Sequence, residues 1–338
     1  MRYYILTTTK FANECIAFEK YGAGNANWLA NIDIGDIVFI SQFNYKSQDL
    51  YGPFRVTSNS FFDRTRIFPK GKFYYRIDLK PIDSVRILEE IDIYFYGIEK
   101  QKIELASRFI NLIQQNKHLH SICLNRIEGE FLSRIFTKFG KPVKIKRKQY
   151  ASVGKGLKVD LEYLSAKNKI STKSSFLSEN YLESFILLSL KEKDNCIRRQ
   201  LSTTLNNFPE NKLENSDVYN QFIFGNAYPS DIVIVNKANA NIFELKKDIL
   251  SRDLMPQIRK EMYKYCYFSL FSPRLDNQEV KRMNFFLLAL RGGDPKLKAK
   301  LREEFNKINQ ALRHYRENSF TILEYYIEEN RLVIGEAK

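Results

Sequence analysis

The residues carrying the most chemistry lie in one stretch, Pro229-Ser-Asp231-Ile-Val-Ile-Val-Asn236-Lys-Ala-Asn-Ala-Asn-Ile-Phe-Glu244-Leu-Lys246. Two apolar runs flank a polar turn at Lys237 and Ala238, a pattern that predicts a hairpin. A tight turn there sets Asp231 roughly opposite Glu244, because the midpoint of the two positions falls inside it. Side chains alternate along a strand, so Glu244 and Lys246 share one face while Phe243 and Leu245 share the other. Two carboxylates and an ammonium then converge at a sheet edge. Carboxylate oxygens are the hard ligands that Mg2+ takes while keeping several waters. A lysine beside such a metal can orient or deprotonate a water and stabilise charge developing on a phosphate. The bland alternative is a surface salt bridge, since Glu210-Asn-Lys212 repeats the Glu-x-Lys spelling in an expected loop.

Positioning these groups requires a sheet with helices against it. From about residue 175 the pattern runs helix, strands, helix, strand, helix, strand. Ser178 caps a helix through Leu188; Val218–Phe224, Asp231–Val235 and Asn241–Lys246 read as strands. Met255–Phe268 and Pro295–Tyr315 read as helices, Phe285–Leu290 as a buried strand between them, and Phe320–Ile334 as a closing hairpin. At this point residues 175 to 290 resemble the PD-(D/E)xK nuclease superfamily, to which many restriction and RecB-like repair endonucleases belong. The resemblance implies a restriction-endonuclease-like α/β core with a central mixed sheet. It makes Asp231 and Glu244 the holders of Mg2+ (with Mn2+ as a substitute) and Lys246 the residue that activates water. It adds a further acid from the preceding helix, Glu183 or Glu179, and a glutamine from the following one, Gln257. The RecB-like pattern has Tyr four residues after that glutamine, where this chain has Glu261; the nearest tyrosine in sequence is Tyr263.

The first hundred residues are strand-rich. Tyr3-Tyr-Ile-Leu-Thr-Thr8, Ile37-Val-Phe-Ile40, Tyr51-Gly-Pro-Phe-Arg-Val-Thr57 and Phe73-Tyr-Tyr-Arg-Ile-Asp-Leu79 are separated by Gly/Pro punctuation, which predicts a small barrel or a strongly bent sheet. A helix is expected over Phe11–Glu19. Residues 101–140 change to helical period, with one helix around Ile103–Ile113 and another over Glu128–Phe139, stopped by Gly140 and Pro142. Tyr3–Thr8, Trp28, Ile34-Gly35-Asp36 with its following strand, and Tyr51–Ser58 together resemble the EVE domain of the PUA-like group, which also includes YTH and ASCH domains. The resemblance implies a β-barrel with a pocket for one modified base, gripped between aromatic faces and read along its edge by hydroxyl and backbone groups. Trp28, Thr7, Thr8, Phe61 and Tyr74 are the candidates for that pocket, with Phe62 and Tyr75 as further walls. Trp28, the only tryptophan, fits a cage and a core or rim position equally well.

The fold class expected is therefore α+β: a PUA-like (EVE) unit with helical extension over residues 1–140, a basic linker over 141–175, and a nuclease unit over 176–338. The linker region is acid-free from Lys141 to Lys158 and reads as a solvated tether or as a phosphate-contacting strap. In the 338-residue chain, 54 basic against 39 acidic side chains leave +15, which favours a polyanionic partner. Four cysteines without a CxxC pair and three histidines argue against a disulfide framework or a Cys/His zinc centre. They fit a reducing, cytoplasmic setting. No apolar run approaches the ~20 residues that span a bilayer, and the N-terminus lacks a signal-peptide pattern. The combined expectation is a modification-dependent DNA endonuclease, as a homodimer if both strands are cut. The alternatives are a lesion- or structure-specific repair nuclease, and a non-catalytic reader of modified nucleic acid such as RNA.

Overall fold

The computed structural model describes residues 1–44, 47–116, 119–150, 153–157, 176, 178–193, 195–205, 213, 216–224, 229–236, 239–271, 282–313, 315, 317–328 and 331–337. The expected turn at Lys237 and Ala238, Glu210 and Lys212, residues 151–152 and 158–175 of the expected linker, and His118 and His314 lie outside the described residues. The chain divides into two compact units, residues 1–157 and 158–338.

The front unit contains strands β1 (Tyr3–Thr8), β2 (Lys20–Ala23), β3 (Ile37–Asn44), β4 (Ser47–Val56), β5 (Phe61–Phe62), β6 (Tyr75–Glu89), β7 (Ser121–Leu124), β8 (Lys141–Pro142) and β9 (Lys155–Gly156). Its helices are α1 (Ala12–Ala17), α2 (Asn27–Ala30), α3 (Glu90–Glu99), α4 (Ile103–Gln115) and α5 (Arg126–Phe139). β1 runs parallel to β3 and antiparallel to β7, and its Tyr4, Ile5 and Leu6 are fully buried. The long β6 carries β4 and β8 toward its C-terminal end and β2 and β5 at its N-terminal end. Helix α5 covers this sheet, with Phe136 stacked on Phe39 at 5.2 Å. Gly129 permits the close approach, since a Cβ there would lie 2.0 Å from the ring of Tyr3.

Two expectations change here. The strands follow the open path β7-β1-β3-β4-β6-β5-β9, so no closed barrel forms among the described residues. Between β2 and β7 a side chain stands where closure would need a ladder: the Tyr21 hydroxyl lies 2.7 Å from the Thr7 carbonyl oxygen and 2.8 Å from that of His120. The segment expected as a linker is, over residues 141–157, part of the front unit. It adds β8 and β9, and the Val143 and Lys148 amides donate to the carbonyls of Val85 and Ala17 at 2.9 and 2.7 Å.

The back unit is one six-stranded mixed sheet in sequential order: β10 (Asp217–Ile223), β11 (Pro229–Asn236), β12 (Asn239–Ile249), β13 (Arg282–Leu290), β14 (Glu317–Glu328) and β15 (Arg331–Glu336). Helices α6 (Glu179–Lys191), α7 (Cys196–Thr204), α8 (Met255–Phe271) and α9 (Pro295–Leu312) accompany it. β12, β13 and β14 are parallel, joined through α8 and α9, and antiparallel pairs complete both edges. Parallel strands covered on both faces read as continuous apolar runs, which is why Met283–Ala289 is buried throughout. Phe243 stacks on Phe286 at 4.8 Å, and Phe305 of α9 lies 5.5 and 5.0 Å from Phe285 and Phe320. No helix among the described residues is long and apolar enough to cross a membrane.

Candidate active site and front cavity

β-branched residues at Ile232–Val235 favour the extended chain, and β11 pairs with β12 in the register Ile232↔Phe243 through Asn236↔Asn239. The next step of that register sets Asp231 opposite Glu244. Beyond Leu245 the pairing of β12 with β13 shifts before resuming at Ile249. Leu245 and Lys246 are both buried, as successive residues are in a strand covered on both faces.

Around this strand end the structure gathers Glu183 and Glu179 from α6, Gln221 from β10, Asp231 from β11, Glu244 and Lys246 from β12, and Glu261 and Tyr265 from α8. The Lys246 ammonium, 1% exposed, donates to Glu244 Oε1 at 2.5 Å and lies 3.6 Å from Glu261 Oε2. The Tyr265 hydroxyl donates to Glu244 Oε2 at 2.8 Å, with the Pro229 carbonyl oxygen at 3.2 Å. The Leu245 amide donates to Asp231 Oδ2 at 2.7 Å. Gln221 Nε2 straddles the buried Glu183 carboxylate, 3.0 Å from each oxygen, and reaches Asp231 Oδ1 at 3.4 Å. Gln221 does so from φ 49°, a left-handed conformation that costs about 1–3 kcal/mol outside glycine and clusters at functional sites.

The electrostatics are those of an anionic pocket short of cations. Burial, then the neighbouring Glu183, pushes the Asp231 carboxyl up to about 8 against the pull of Lys246 and the Leu245 amide. Burial and Asp231 hold Glu244 well above the usual carboxylate range. Burial also raises Glu179, partly opposed by Lys246. Burial pulls the Lys246 ammonium down, but Glu244, Asp231, Glu261 and Glu179 outweigh it and raise its pKa. Glu261 Oε2 is buried without a hydrogen-bond partner.

No group of three His, Cys, Asp or Glu side chains among the described residues is arranged to hold a metal. Asp231 and Glu244 are nonetheless two hard donors, each oxygen keeping a lone pair beyond the one already engaged. The excess of acids over Lys246 is what a divalent cation would neutralise, so the donor set fits Mg2+ or Mn2+.

Of the residues expected from sequence, Asp231, Glu244, Lys246 and Glu183 come together, as does Glu179. Gln257 stands at the exposed rim, its Nε2 donating to Glu261 Oε1 at 2.8 Å, so it reaches Lys246 only through that carboxylate. Tyr263 is 52% exposed. The tyrosine at the site is Tyr265, four residues after Glu261. Sequence reasoning missed Tyr265, Glu261 and Gln221; the recurrence of 257, 261 and 265 on one helix face was the available signal for the first two.

The front unit holds its own cavity of about 140 Å³ at the seam that Tyr21 spans. Thr7 and Thr8 line it together with Phe11, Phe68, Phe73 and His120. Phe68 and Phe73 meet edge-on at 5.5 Å, and His120 lies 6.1 Å from Phe73. Burial lowers the His120 pKa, leaving a neutral ring with one donor and one acceptor. Thr7 Oγ1 is buried without a hydrogen-bond partner. Trp28 packs on His120 at 5.7 Å, one ring back from the cavity. Phe61 and Tyr74 do not line it: Phe61 lies under Lys20 at 5.8 Å and Tyr74 packs on Phe62 at 5.9 Å. The walls come instead from Phe68, Phe73 and His120, which no local pattern marks.

No family model matches the chain, and no curated protein is similar to it in sequence. Solved structures with some likeness include human THYN1 in complex with 5-methylcytosine-containing DNA, 12% identical over 42% of this chain and 100% of that one, with a TM-score of 0.31. A protein from Pseudomonas putida is 16% identical over 39% of this chain and 98% of that one, with a TM-score of 0.29. A hypothetical protein from Leishmania major is 19% identical over 41% of this chain and 96% of that one, also at 0.29.

Proposed function

We propose that the protein is a modification-dependent DNA endonuclease, in which the back unit hydrolyses a phosphodiester and the front unit admits one modified base. The observation that carries the first half is the pocket of Glu183, Asp231, Glu244 and Glu261 around one buried lysine, at a sheet end. Mg2+, when bound, supplies Lewis-acid stabilisation of phosphate oxygens and lowers the pKa of a coordinated water. Asp231 and Glu244 would hold it. The Leu245 amide and Gln221 fix Asp231, and Tyr265 and Lys246 fix Glu244, so both carboxylates are aimed before any substrate arrives. Lys246 turns its ammonium toward water and the phosphate as its bond to Glu244 loosens, stabilising the charge that builds up in the transition state.

The second half rests on the front cavity. A planar base entering it would pack against the rings of Phe68 and Phe73, and its edge would meet Thr7 Oγ1 and the neutral His120 imidazole. An unpaired buried hydroxyl costs about 1–3 kcal/mol, which a hydrogen-bonding ligand would recover.

The test is cleavage of matched duplexes, unmodified or carrying methylated or hydroxymethylated cytosine or methylated adenine, with Mg2+, beside Lys246→Ala. Cutting confined to a modified duplex and lost in the variant is the expected result. Cutting blind to modification removes the reader half, and preference for lesions or mismatches moves the reading to repair. No cutting of any duplex, with modified nucleic acid still bound, leaves a non-catalytic reader in which Glu244 and Lys246 are a structural ion pair.

A further inference from the structure

Residues 141–157 carry no acidic side chain, yet the described residues 141–150 and 153–157 are tied to the front unit at several points. β8 pairs with Arg86 and Ile87, the Val143 amide donates to Val85, the Lys148 amide to Ala17, and the Leu157 amide to Ser60. Tyr150 is the central anchor. Its hydroxyl donates to Asp63 and accepts from Arg76 Nη1 at 3.0 Å, and both Asp63 and Arg76 are almost fully buried. Between these anchors the segment alternates: Val143 and Ile145 are half-buried, while Lys144 and Lys146 are exposed, followed by exposed Arg147 and Lys148. Lys141 and Arg147 are paired with Glu89 and Glu19, both at 3.0 Å. Lys144, Lys146 and Lys155 have no acidic partner among the described residues, and Lys148 is set over the ring of Phe18 at 5.4 Å.

Holding like charges at fixed spacing is unfavourable in the free protein, and a free tether would let them spread apart. We propose that residues 141–150 form a rail for the phosphate backbone of duplex DNA, with Lys144, Lys146 and Lys148 each neutralising one phosphate. The inference rests on the DNA-binding half of the reading above and requires neither the base cavity nor the metal site. Anchoring by Tyr150, Val143 and Lys148 prepays the ordering cost that a flexible basic tail would meet on binding. Beside the rail lies a groove of about 820 Å³, whose charged lining is Lys20, Lys80, Arg147 and Lys148 against Glu19 and Asp78. It gives the backbone a concave track. Backbone contacts of this kind set position and affinity without reading sequence.

The experiment is fluorescence anisotropy of the full chain on an unmodified duplex, in EDTA, across a series of salt concentrations. Each phosphate neutralised contributes about 0.9 to the slope of log K against log salt on duplex DNA. The triple variant Lys144→Gln, Lys146→Gln, Lys148→Gln is expected to lose about 2.7 from that slope, with an unchanged unfolding midpoint because all three side chains are exposed. Tyr150→Phe, which keeps the charges and removes the hydroxyl anchor, is expected to weaken binding at an unchanged slope. An unchanged slope in a normally folded triple variant overturns the rail while leaving DNA binding intact. No binding of duplex by the wild-type chain overturns both readings together. Loss of slope on an RNA of equal length, with none on DNA, overturns the assignment to DNA.

Discussion

Replacing Lys246 by methionine tests whether one ammonium holds the carboxylate pocket together. The side chain is 1% exposed, bonded to Glu244 and close to Glu261, so its loss leaves buried acids uncompensated. Removing one partner of a buried ion pair costs about 3–5 kcal/mol. For a domain of this size, at about 2–4 °C per kcal/mol, that is a fall of roughly 6–20 °C in unfolding temperature. The pH dependence is the sharper part. The native carboxyls of Asp231 and Glu244 are raised above their unfolded values, so each favours the native state when protonated, and that contribution is lost as pH rises through the native pKa. For Asp231 the window runs from about 4 to about 8. The wild type, without metal, is therefore expected to lose stability across this window, with Lys246 moderating the loss. In Lys246→Met only the Leu245 amide still moderates it at Asp231. The gap between the two proteins should be largest at pH 8 and close toward pH 4, where the acids are neutral and the lysine has little to pair with. Calorimetry of the metal-free full chain at pH 4.5, 6 and 8 measures this. A gap independent of pH, or absent at pH 8, would refute the description of the pocket.

Asp231→Asn removes one uncompensated buried charge while preserving the shape that accepts from the Leu245 amide. It should raise the metal-free unfolding temperature at pH 8 and abolish cleavage and the stabilisation by Mg2+. Stabilisation of the wild type by Mg2+ should itself grow between pH 6 and pH 8.5, since the cation competes with protons on Asp231; differential scanning fluorimetry in both buffers reads it. Tyr265→Phe deletes the donor to Glu244 Oε2 and should cost about 1–2 kcal/mol of stability. It should also weaken the Mg2+ dependence of cleavage more than it lowers the rate at saturating metal. Thr7→Val replaces an unpaired buried hydroxyl by a methyl group and should leave stability unchanged or raise it by up to about 1 kcal/mol. Its expected functional effect is a reduced preference for modified over unmodified duplex in competition binding.

The back unit was legible where its pattern is local. Asp231, Glu244 and Lys246 sit on one hairpin, so their juxtaposition follows from strand period and the position of the turn alone. Glu183 needs only a helix before the sheet. Gln221 was not legible, because its role depends on a left-handed backbone at the end of β10 and on the pairing of that strand with β11. The front unit hid more. Ile91-Asp-Ile-Tyr-Phe-Tyr96 alternates like a strand, yet it forms α3, started by a capping box between Glu89 and Asp92; the cap outweighed the period. The strand spacing left a small barrel and a strongly bent sheet both open, and only the EVE resemblance implied closure; the seam is decided by Tyr21 and His120, about a hundred residues apart. The cavity walls Phe68, Phe73 and His120 meet for the same non-local reason.

A tyrosine four residues after Gln257 would stand at the rim of the pocket, where Glu261 faces the Lys246 ammonium at 3.6 Å. The tyrosine at 265 stands one turn deeper and binds Glu244 directly. The helix face is the same, at i, i+4 and i+8, but its order is glutamine, acid, phenol. An acid in the middle adds negative charge beside Lys246 and keeps the ammonium protonated, whereas a tyrosine there would be neutral. Glu261 thus adds to Glu244 and Asp231 in raising the Lys246 pKa, which favours the cation. Under the proposed nuclease reading, Lys246 would orient water and stabilise charge, and the proton leaving the attacking water would go elsewhere, to bulk solvent or to the substrate phosphate. A rate profile in saturating Mg2+ that shows no ionisation between pH 8 and 10 is the signature of that arrangement, and it should persist in Glu261→Gln, where Glu244 and Asp231, the larger causes of the raised lysine pKa, remain.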